Sequence, residues 1–101
     1  MFILTTKSGL VNTDRMTRIY LRSGKGLYPS IIASYGVFEN DGREKRITLE
    51  TFGADELYVA RDVFDQLTFS MDGSPENKII NLVDISKRAK YEFQTGKQYK
   101  E

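Results

Sequence analysis

The 101-residue sequence predicts an α+β fold: an antiparallel β-meander of four or five strands, covered on one face by one main helix. Two observations support this class. Apolar and polar residues alternate along the first half, and clusters of Gly, Asn, Asp and Ser interrupt the alternation, as is typical of antiparallel strands joined by short turns. In the second half, apolar residues recur every three or four positions, the spacing of an amphipathic helix. The length fits a single domain.

The first strands are short. Residues 2–6 are β-prone, residues 7–9 form a turn signal, strand character resumes at Leu10, and residues 12–14 make a second turn cluster. In the next strand, residues 17–22, apolar side chains alternate with basic and aromatic ones. This alternation predicts one buried face and one solvent-facing face.

Two longer strands complete the meander. After a loop at residues 23–26, residues 30–38 form a long β-prone run in which Gly36 is placed to mark a bulge. Residues 40–43, Asn-Asp-Gly-Arg, predict a tight hairpin turn, because Asp-Gly supplies the positive φ angles of a type I′ turn. A last alternating strand follows at residues 46–51.

The main helix is predicted from about residue 54 to residue 71. Its apolar stripe has helical spacing and consists of Leu57, Ala60, Val63, Phe64, Leu67 and Met71. We expect Asp55 and Glu56 in the first turn, where carboxylates interact favourably with the positive end of the helix dipole. Gly73 and Pro75 are expected to end the helix.

The C-terminal part admits two interpretations. Residues 78–83 are rich in β-branched residues and predict a short strand, although residues 79–93 also have the spacing of a second helix. We therefore expect a single α+β domain over residues 1–83. Residues 84–101 would form a basic C-terminal tail that is either helical or disordered.

The charges are unevenly distributed along the chain. Residues 54–76 contain six acidic residues and one arginine, about −5, whereas residues 77–101 contain six basic and three acidic residues, about +3. Opposite charge favours contact between these segments, within one chain or between two chains, and two separately solvated surfaces are the other interpretation. The net charge of +1 gives the whole chain no field that would attract nucleic acid or an anionic membrane.

The composition removes several classes of function. The chain contains no histidine and no cysteine, the usual ligands of zinc and iron–sulfur centres, so we expect no metal and no cofactor. The first residues lack a basic region, so we expect no signal peptide, and no apolar run approaches the roughly 20 residues that span a bilayer. We therefore expect a cytoplasmic protein that does not enter membranes.

Two chemical motifs have simpler explanations. Residues 23–26, Ser-Gly-Lys-Gly, are glycine-rich like a phosphate-binding loop, but the second glycine follows the lysine and a strand is expected next, which indicates a hairpin loop. Asp62 and Asp65 lie off the apolar stripe of the main helix, where solvated helix charge is a simpler interpretation than a catalytic pair.

One surface is a candidate for nucleic-acid binding. Arg18, Tyr20 and Arg22 share the solvent-facing side of their strand, and Arg46 is expected to join them from a neighbouring strand. Basic side chains beside an aromatic ring bind phosphates and stack bases. Three residues of the C-terminal segment add to this set: Lys87, Arg88 and Lys90. A solvent-facing strand has the same appearance without any ligand, and the acidic helix weighs against nucleic acid.

The N-terminal part follows a recognisable pattern. Residues 9–14 are Gly-Leu-Val-Asn-Thr-Asp, and residues 17–21 are Thr-Arg-Ile-Tyr-Leu. A short strand, an Asn-x-Asp turn and an alternating strand, followed by a helix that begins after Phe-Gly-Ala-Asp-Glu at residues 52–56, resemble small uncharacterised proteins of low-GC Gram-positive bacteria and their prophages. The resemblance covers about the first 70 residues. It implies a β-meander plus helix with no established activity, and it transfers no site residue.

The expected function is that of a small non-enzymatic binding or protein-interaction module from a mobile element. Its partner is either another protein or a second copy in a homodimer. The six tyrosines and six phenylalanines are many for this length, and a small sheet leaves edges that can pair. A nucleic-acid-binding accessory protein is the alternative, and an enzyme comes third.

Overall fold

A computed structural model of the chain describes residues 1–38, 44–72 and 78–95. Within these residues the chain forms six strands and two helices, which confirms the α+β class. In chain order the elements are β1 (Phe2–Thr5), β2 (Gly9–Asn12), β3 (Arg18–Gly24), β4 (Leu27–Phe38), β5 (Glu44–Thr51), α1 (Leu57–Met71), β6 (Ile79–Asn81) and α2 (Leu82–Thr95).

The strands form two three-stranded sheets. The larger sheet, in the order β3-β4-β5, is an antiparallel meander, and the smaller sheet has the order β2-β1-β6. In the smaller sheet β1 and β2 form an antiparallel hairpin, while β6 pairs with β1 in parallel. The sequence predicted one meander, because its turn signals indicate pairing only between strands that are consecutive in the chain. The pairing of β6 with β1 joins residues 2–4 to residues 79–81, which are far apart in the sequence, and local turn signals do not report it.

The hydrophobic core is built from both sheets and both helices. In the small sheet, Ile3 lies directly between Val11 and Ile80, and all three side chains are buried. The inner face of the large sheet packs against α1 through Ile31, Ala33 and Leu49 from the strands and Val59, Ala60, Val63 and Leu67 from the helix. Full burial of each leucine, isoleucine or valine side chain in this core contributes about 1.5–3 kcal/mol to folding stability.

The β1–β2 turn is attached to the outer edge of β5. The Thr6 hydroxyl donates to the Glu50 carboxylate at 2.9 Å, and the Ser8 hydroxyl donates to the Thr48 carbonyl at 2.9 Å. Both acceptors belong to β5, which is an edge strand of the large sheet. They tie the two sheets together at the turn.

The bulge predicted at Gly36 is confirmed. The register between β4 and β5 shifts between Ser34 and Phe38, and Gly36 has a φ of 63°. A Cβ atom at this position would lie 2.9 Å from Thr17 Cγ2. The hairpin turn predicted at residues 40–43 lies outside the described residues.

Helix α1 ends at Met71 as predicted but begins later. Glu56 occupies the N-cap position and no acidic residue lies in the first turn, so the placement of Asp55 and Glu56 in that turn was wrong. Instead, the Glu56 carboxylate accepts a hydrogen bond from the Gly53 amide at 2.7 Å, and this bond closes the turn that precedes the helix. The predicted end signals, Gly73 and Pro75, lie outside the described residues.

The C-terminal part contains both a short strand, β6, and a helix, α2. The predicted strand is shortened to three residues, and Asn81 then caps the helix by accepting the Asp84 amide at 2.9 Å on its side-chain oxygen. Leu82 and Ala89 belong to the core, and α2 contacts both α1 and β1. The acidic helix and the basic segment therefore pack together within one chain, as one interpretation of the charge pattern expected. Residues 96–101 of the predicted tail are not among those described.

Candidate interaction surfaces

The outer face of the large sheet, opposite α1, carries most of the predicted site. We call Arg18, Tyr20, Arg22 and Arg46 the basic–aromatic face. Arg18 pairs with Ser34 across β3 and β4, and Ser34 pairs with Arg46 across β4 and β5. Residues paired in this way project from the same side of a sheet. Arg46 thus lies one strand further from Arg18 than the sequence predicted, with Ser34 between them.

Tyr20 joins the two arginines. The Arg18 guanidinium carbon lies 4.5 Å from the centroid of the Tyr20 ring, which is a cation–π contact. Tyr20 also interacts with Arg46, and this interaction is the main cause of the raised pKa of the Arg46 guanidinium. Arg22 is exposed on the same face, two residues beyond Tyr20. The structure therefore brings three of these four residues into contact.

A carboxylate of the chain itself occupies this cluster. Glu44 accepts a hydrogen bond from the hydroxyl of Ser34, which is fully buried, and lies 3.8 Å from the Arg18 guanidinium. Its charge also contributes to the raised pKa of Arg46. Arg18, Arg46 and Glu44 together leave one net positive charge. An external phosphate would have to compete with Glu44 for Arg18, so the cluster is a weaker anion site than its arginines alone suggest.

The three basic residues of the C-terminal segment lie elsewhere. Lys90 Nζ is 5.3 Å from the centroid of the Phe52 ring, Arg88 Nε is 3.3 Å from the Asp84 carboxylate, and Lys87 is exposed. All three are on α2, which packs against α1 and β1. Since α1 covers the inner face of the large sheet, these bases are not brought together with the basic–aromatic face.

The outer face of the small sheet is a second surface, which the sequence analysis did not identify. Leu10 lies opposite Leu4, and Phe2 lies opposite Ile79, all on the side away from the core residue Ile3. Leu4, Leu10 and Ile79 are 36%, 54% and 58% exposed. We call Phe2, Leu4, Leu10 and Ile79 the apolar face.

The apolar face carries no charge. The outward positions of its three strands are completed by Asn12 and Asn81, so all six positions are uncharged. Both asparagine oxygens already accept backbone amides, from Asp14 and Asp84 respectively at 2.9 Å, which leaves the side-chain NH₂ groups as donors. The sequence did contain a signal for this face: consecutive apolar residues within each short strand, which is typical of strands covered on both sides.

A polar cavity of about 550 Å³ lies between β2 and the β4–β5 strands. Lys45 Nζ lies 5.9 Å from the Tyr35 ring, and burial raises the pKa of Tyr35. Among the described residues that line this cavity, Asp14 is the one carboxylate, and it lies 3.5 Å from the N-terminal amine.

Two further observations concern ligands and membranes. In residues 1–38, 44–72 and 78–95, no group of three or more His, Cys, Asp or Glu side chains is placed to hold a metal ion. In the same part of the chain, neither helix has the length and apolar character needed to cross a bilayer.

Comparisons with known proteins give no relative. No family model, no curated protein and no solved structure matches this chain. The resemblance to small proteins of Gram-positive bacteria therefore stays a prediction, and function has to be argued from the surfaces.

Proposed function

We propose that this chain is a small non-enzymatic module that acts by binding another protein through its apolar face. The observation that supports this proposal is the row of exposed apolar side chains across β2, β1 and β6. Single exposed apolar residues are ordinary on protein surfaces, whereas adjacent ones on a flat sheet are typical of interaction sites.

The partner is defined by the chemistry of this face. Full burial of a leucine or isoleucine side chain is worth about 1.5–3 kcal/mol, and Leu10 and Ile79 retain about half of that gain for binding. Because no outward position is charged, a charged partner surface would lose its hydration without compensation. The partner therefore presents a flat, uncharged and largely apolar surface, with acceptors for the amides of Asn12 and Asn81.

The origin and the cellular location proposed for the module follow from the sequence analysis. We propose that it comes from a mobile element of a bacterium and acts in the cytoplasm. Its partner on the apolar face is a different protein, and a second copy of the chain, which also fits an uncharged face, is the alternative.

Affinity capture with matched variants tests this proposal. The double variant Leu10→Lys/Ile79→Lys places two charges on the apolar face, and Leu27→Lys places one charge on a comparably exposed leucine outside it. All three side chains are about half exposed, and the aliphatic part of lysine can cover the same apolar neighbours, so each substitution should lower the free energy of unfolding by no more than about 1 kcal/mol, as urea unfolding can verify. We expect proteins retained from an extract of the source organism by the wild type and by Leu27→Lys to be lost with the double variant. Identical sets, or nothing retained by the wild type, would contradict the proposal.

Nucleic-acid binding by the basic–aromatic face is the second candidate, supported by the contacts of Tyr20 with Arg18 and Arg46. Single-stranded RNA or DNA would stack on the open part of this face while the arginines bind phosphates. Because Glu44 competes for Arg18, Glu44→Gln should strengthen any such binding, and Arg46→Ala should weaken it. A gel shift at low salt measures both, and no binding by the wild type or by Glu44→Gln would eliminate this candidate.

A further inference from the structure

The outer edge of β3 is open. In the order β3-β4-β5 of the large sheet, β3 bonds to β4 on one side. Among residues 1–38, 44–72 and 78–95, no backbone hydrogen bond reaches residues 18–22 from any other element. Alternate amide and carbonyl groups of an antiparallel edge strand point away from its neighbour. The ligand that satisfies such a row of donors and acceptors is another extended strand.

The other edges of the two sheets are shorter or already in use. Side chains of the β1–β2 turn donate two hydrogen bonds to residues of β5, the opposite edge of the large sheet. The edges of the small sheet, β2 and β6, have four and three residues, whereas β3 has seven. A register shift between Arg22 and Gly24 ends the regular part of β3. Residues 18–22 therefore offer the longest regular edge to a ligand, and we call them the β3 edge.

An open cleft of about 420 Å³ adjoins the beginning of the β3 edge. Arg18 and Ile19 line it from β3, and Thr68 and Met71 line it from α1. Ile19 pairs with the core residue Ala33, so it lies on the inner side of the sheet. A strand added beside β3 therefore has one side chain opposite Ile19 that points to this cleft. All three methionines of the chain line the cleft, and methionine side chains adapt to apolar groups of different shapes.

Charge determines which strand fits the β3 edge. Arg18 already contacts Tyr20 and Glu44 of its own chain, whereas Arg22 is exposed and forms no ion pair with any described residue. Pairing of β3 with β3 of a second copy would place four arginines on one face of the joined sheets, and like charges on paired strands repel each other. An acidic residue opposite Arg22 has the complementary charge. A strand of another protein therefore fits this edge better than a second copy does.

We propose that the β3 edge binds an extended, acidic segment of another protein, which adds a fourth strand to the large sheet. The residue opposite Ile19 is apolar and enters the cleft, and the residue opposite Arg22 is aspartate or glutamate. Ile19 and Arg22 lie three positions apart on opposite faces of β3, so the segment carries its apolar and acidic residues at the same spacing. This site is separate from the apolar face, and either can fail without the other.

Peptide display on the intact protein tests the proposed motif. From a random-peptide library, we expect the wild type to enrich sequences with an apolar and an acidic residue three positions apart. Arg22→Glu should enrich a basic residue in place of the acidic one, because the charge opposite that position is reversed. Lys87→Glu changes an exposed lysine on α2 and should select like the wild type. No enriched motif, or an acidic motif with Arg22→Glu, would overturn the proposal.

N-methylated peptides test the strand pairing itself. A synthetic peptide with the enriched sequence loses one amide donor at each methylated position. Because alternate amides of an added strand point to β3, methylation at every second position should weaken binding by about tenfold or more, whereas methylation between these positions should not. Fluorescence polarisation of the labelled peptides measures both sets. Equal losses at all positions, or no loss at any position, would rule out strand addition.

Nuclear magnetic resonance locates the bound peptide. The amides of residues 18–22 that do not bond to β4 should exchange more slowly with solvent, and the methyl signals of Met16 and Met71 should shift. Alanine in place of the apolar residue of the peptide should weaken binding at least about tenfold. Unchanged exchange at residues 18–22, or shifts confined to the apolar face, would contradict the proposed site. Leu10→Lys/Ile79→Lys should bind the peptide like the wild type, which separates this result from the proposed function.

Discussion

Gly36 is held by two constraints at once. Its φ of 63° lies in the left-handed region, and Thr17 Cγ2 would be 2.9 Å from an added Cβ atom. Thr17 cannot move freely, because its amide and its hydroxyl both donate to the Ser34 carbonyl, at 2.8 Å and 3.0 Å. The bulge in β4 therefore depends on the absence of a side chain at this position.

The substitution Gly36→Ala should lower the free energy of unfolding by at least about 2 kcal/mol, from the backbone conformation and the crowding together. Gly9→Ala is the matched control: its φ of 65° is nearly the same, but nothing lies within 4 Å of its added Cβ. We expect about 1 kcal/mol there. Urea unfolding measures both, and equal losses would show that the contact with Thr17 is unimportant.

Two buried serines should respond to alanine with opposite signs. The Ser86 hydroxyl is buried and has no hydrogen-bond partner within the parts of the chain that the structure describes, whereas the Ser34 hydroxyl donates to Glu44. Ser86→Ala should raise the free energy of unfolding by up to about 1 kcal/mol, and Ser34→Ala should lower it by about 1–2 kcal/mol. Thermal or urea unfolding of the pair checks this, and a loss of stability in Ser86→Ala would reveal an unrecognised partner.

At the residue scale, the sequence predicted which residues share a surface better than it predicted which of them are in contact. Arg18, Tyr20 and Arg46 were expected on one surface from alternation alone. Their contact depends on the register that places Ser34 between Arg18 and Arg46, which is set by two bulges in β4 and β5. Glu44 was not expected in the cluster, because no local pattern indicates which carboxylate a register brings beside an arginine.

At the scale of elements, β6 and α2 share one residue that organises both. Asn81 ends β6 and caps α2 through the Asp84 amide. Short-range signals supported both a strand and a helix in this segment, and the structure contains both in sequence. The pairing of β6 with β1 could not be predicted, because the energy of a parallel pair between strands far apart in the sequence depends on core packing rather than on local propensity.

Removing this cap should destabilise α2. We expect Asn81→Ala to lower the free energy of unfolding by about 1 kcal/mol, whereas Asn81→Asp should retain most of the stability because aspartate is an equally good cap. Circular dichroism during urea unfolding measures both variants. If Asn81→Asp loses as much as Asn81→Ala, the asparagine acts through a contact other than the cap.

At the scale of the whole molecule, two candidate interaction surfaces are separate. The basic–aromatic face lies on the outer side of the large sheet, and the apolar face lies on the outer side of the small sheet. The fold class followed from sequence patterns. The apolar face did not, because it forms only when β2, β1 and β6 pair in one sheet. The central claim is that this face binds a protein partner.

Site-specific photo-crosslinking in the source organism tests that claim most directly. A photoreactive residue is placed at position 10 or 79 on the apolar face, or at position 27 as an exposed control. We predict a discrete protein adduct from positions 10 and 79 and none from position 27. No adduct at positions 10 and 79, or the same adducts from all three positions, would contradict the account.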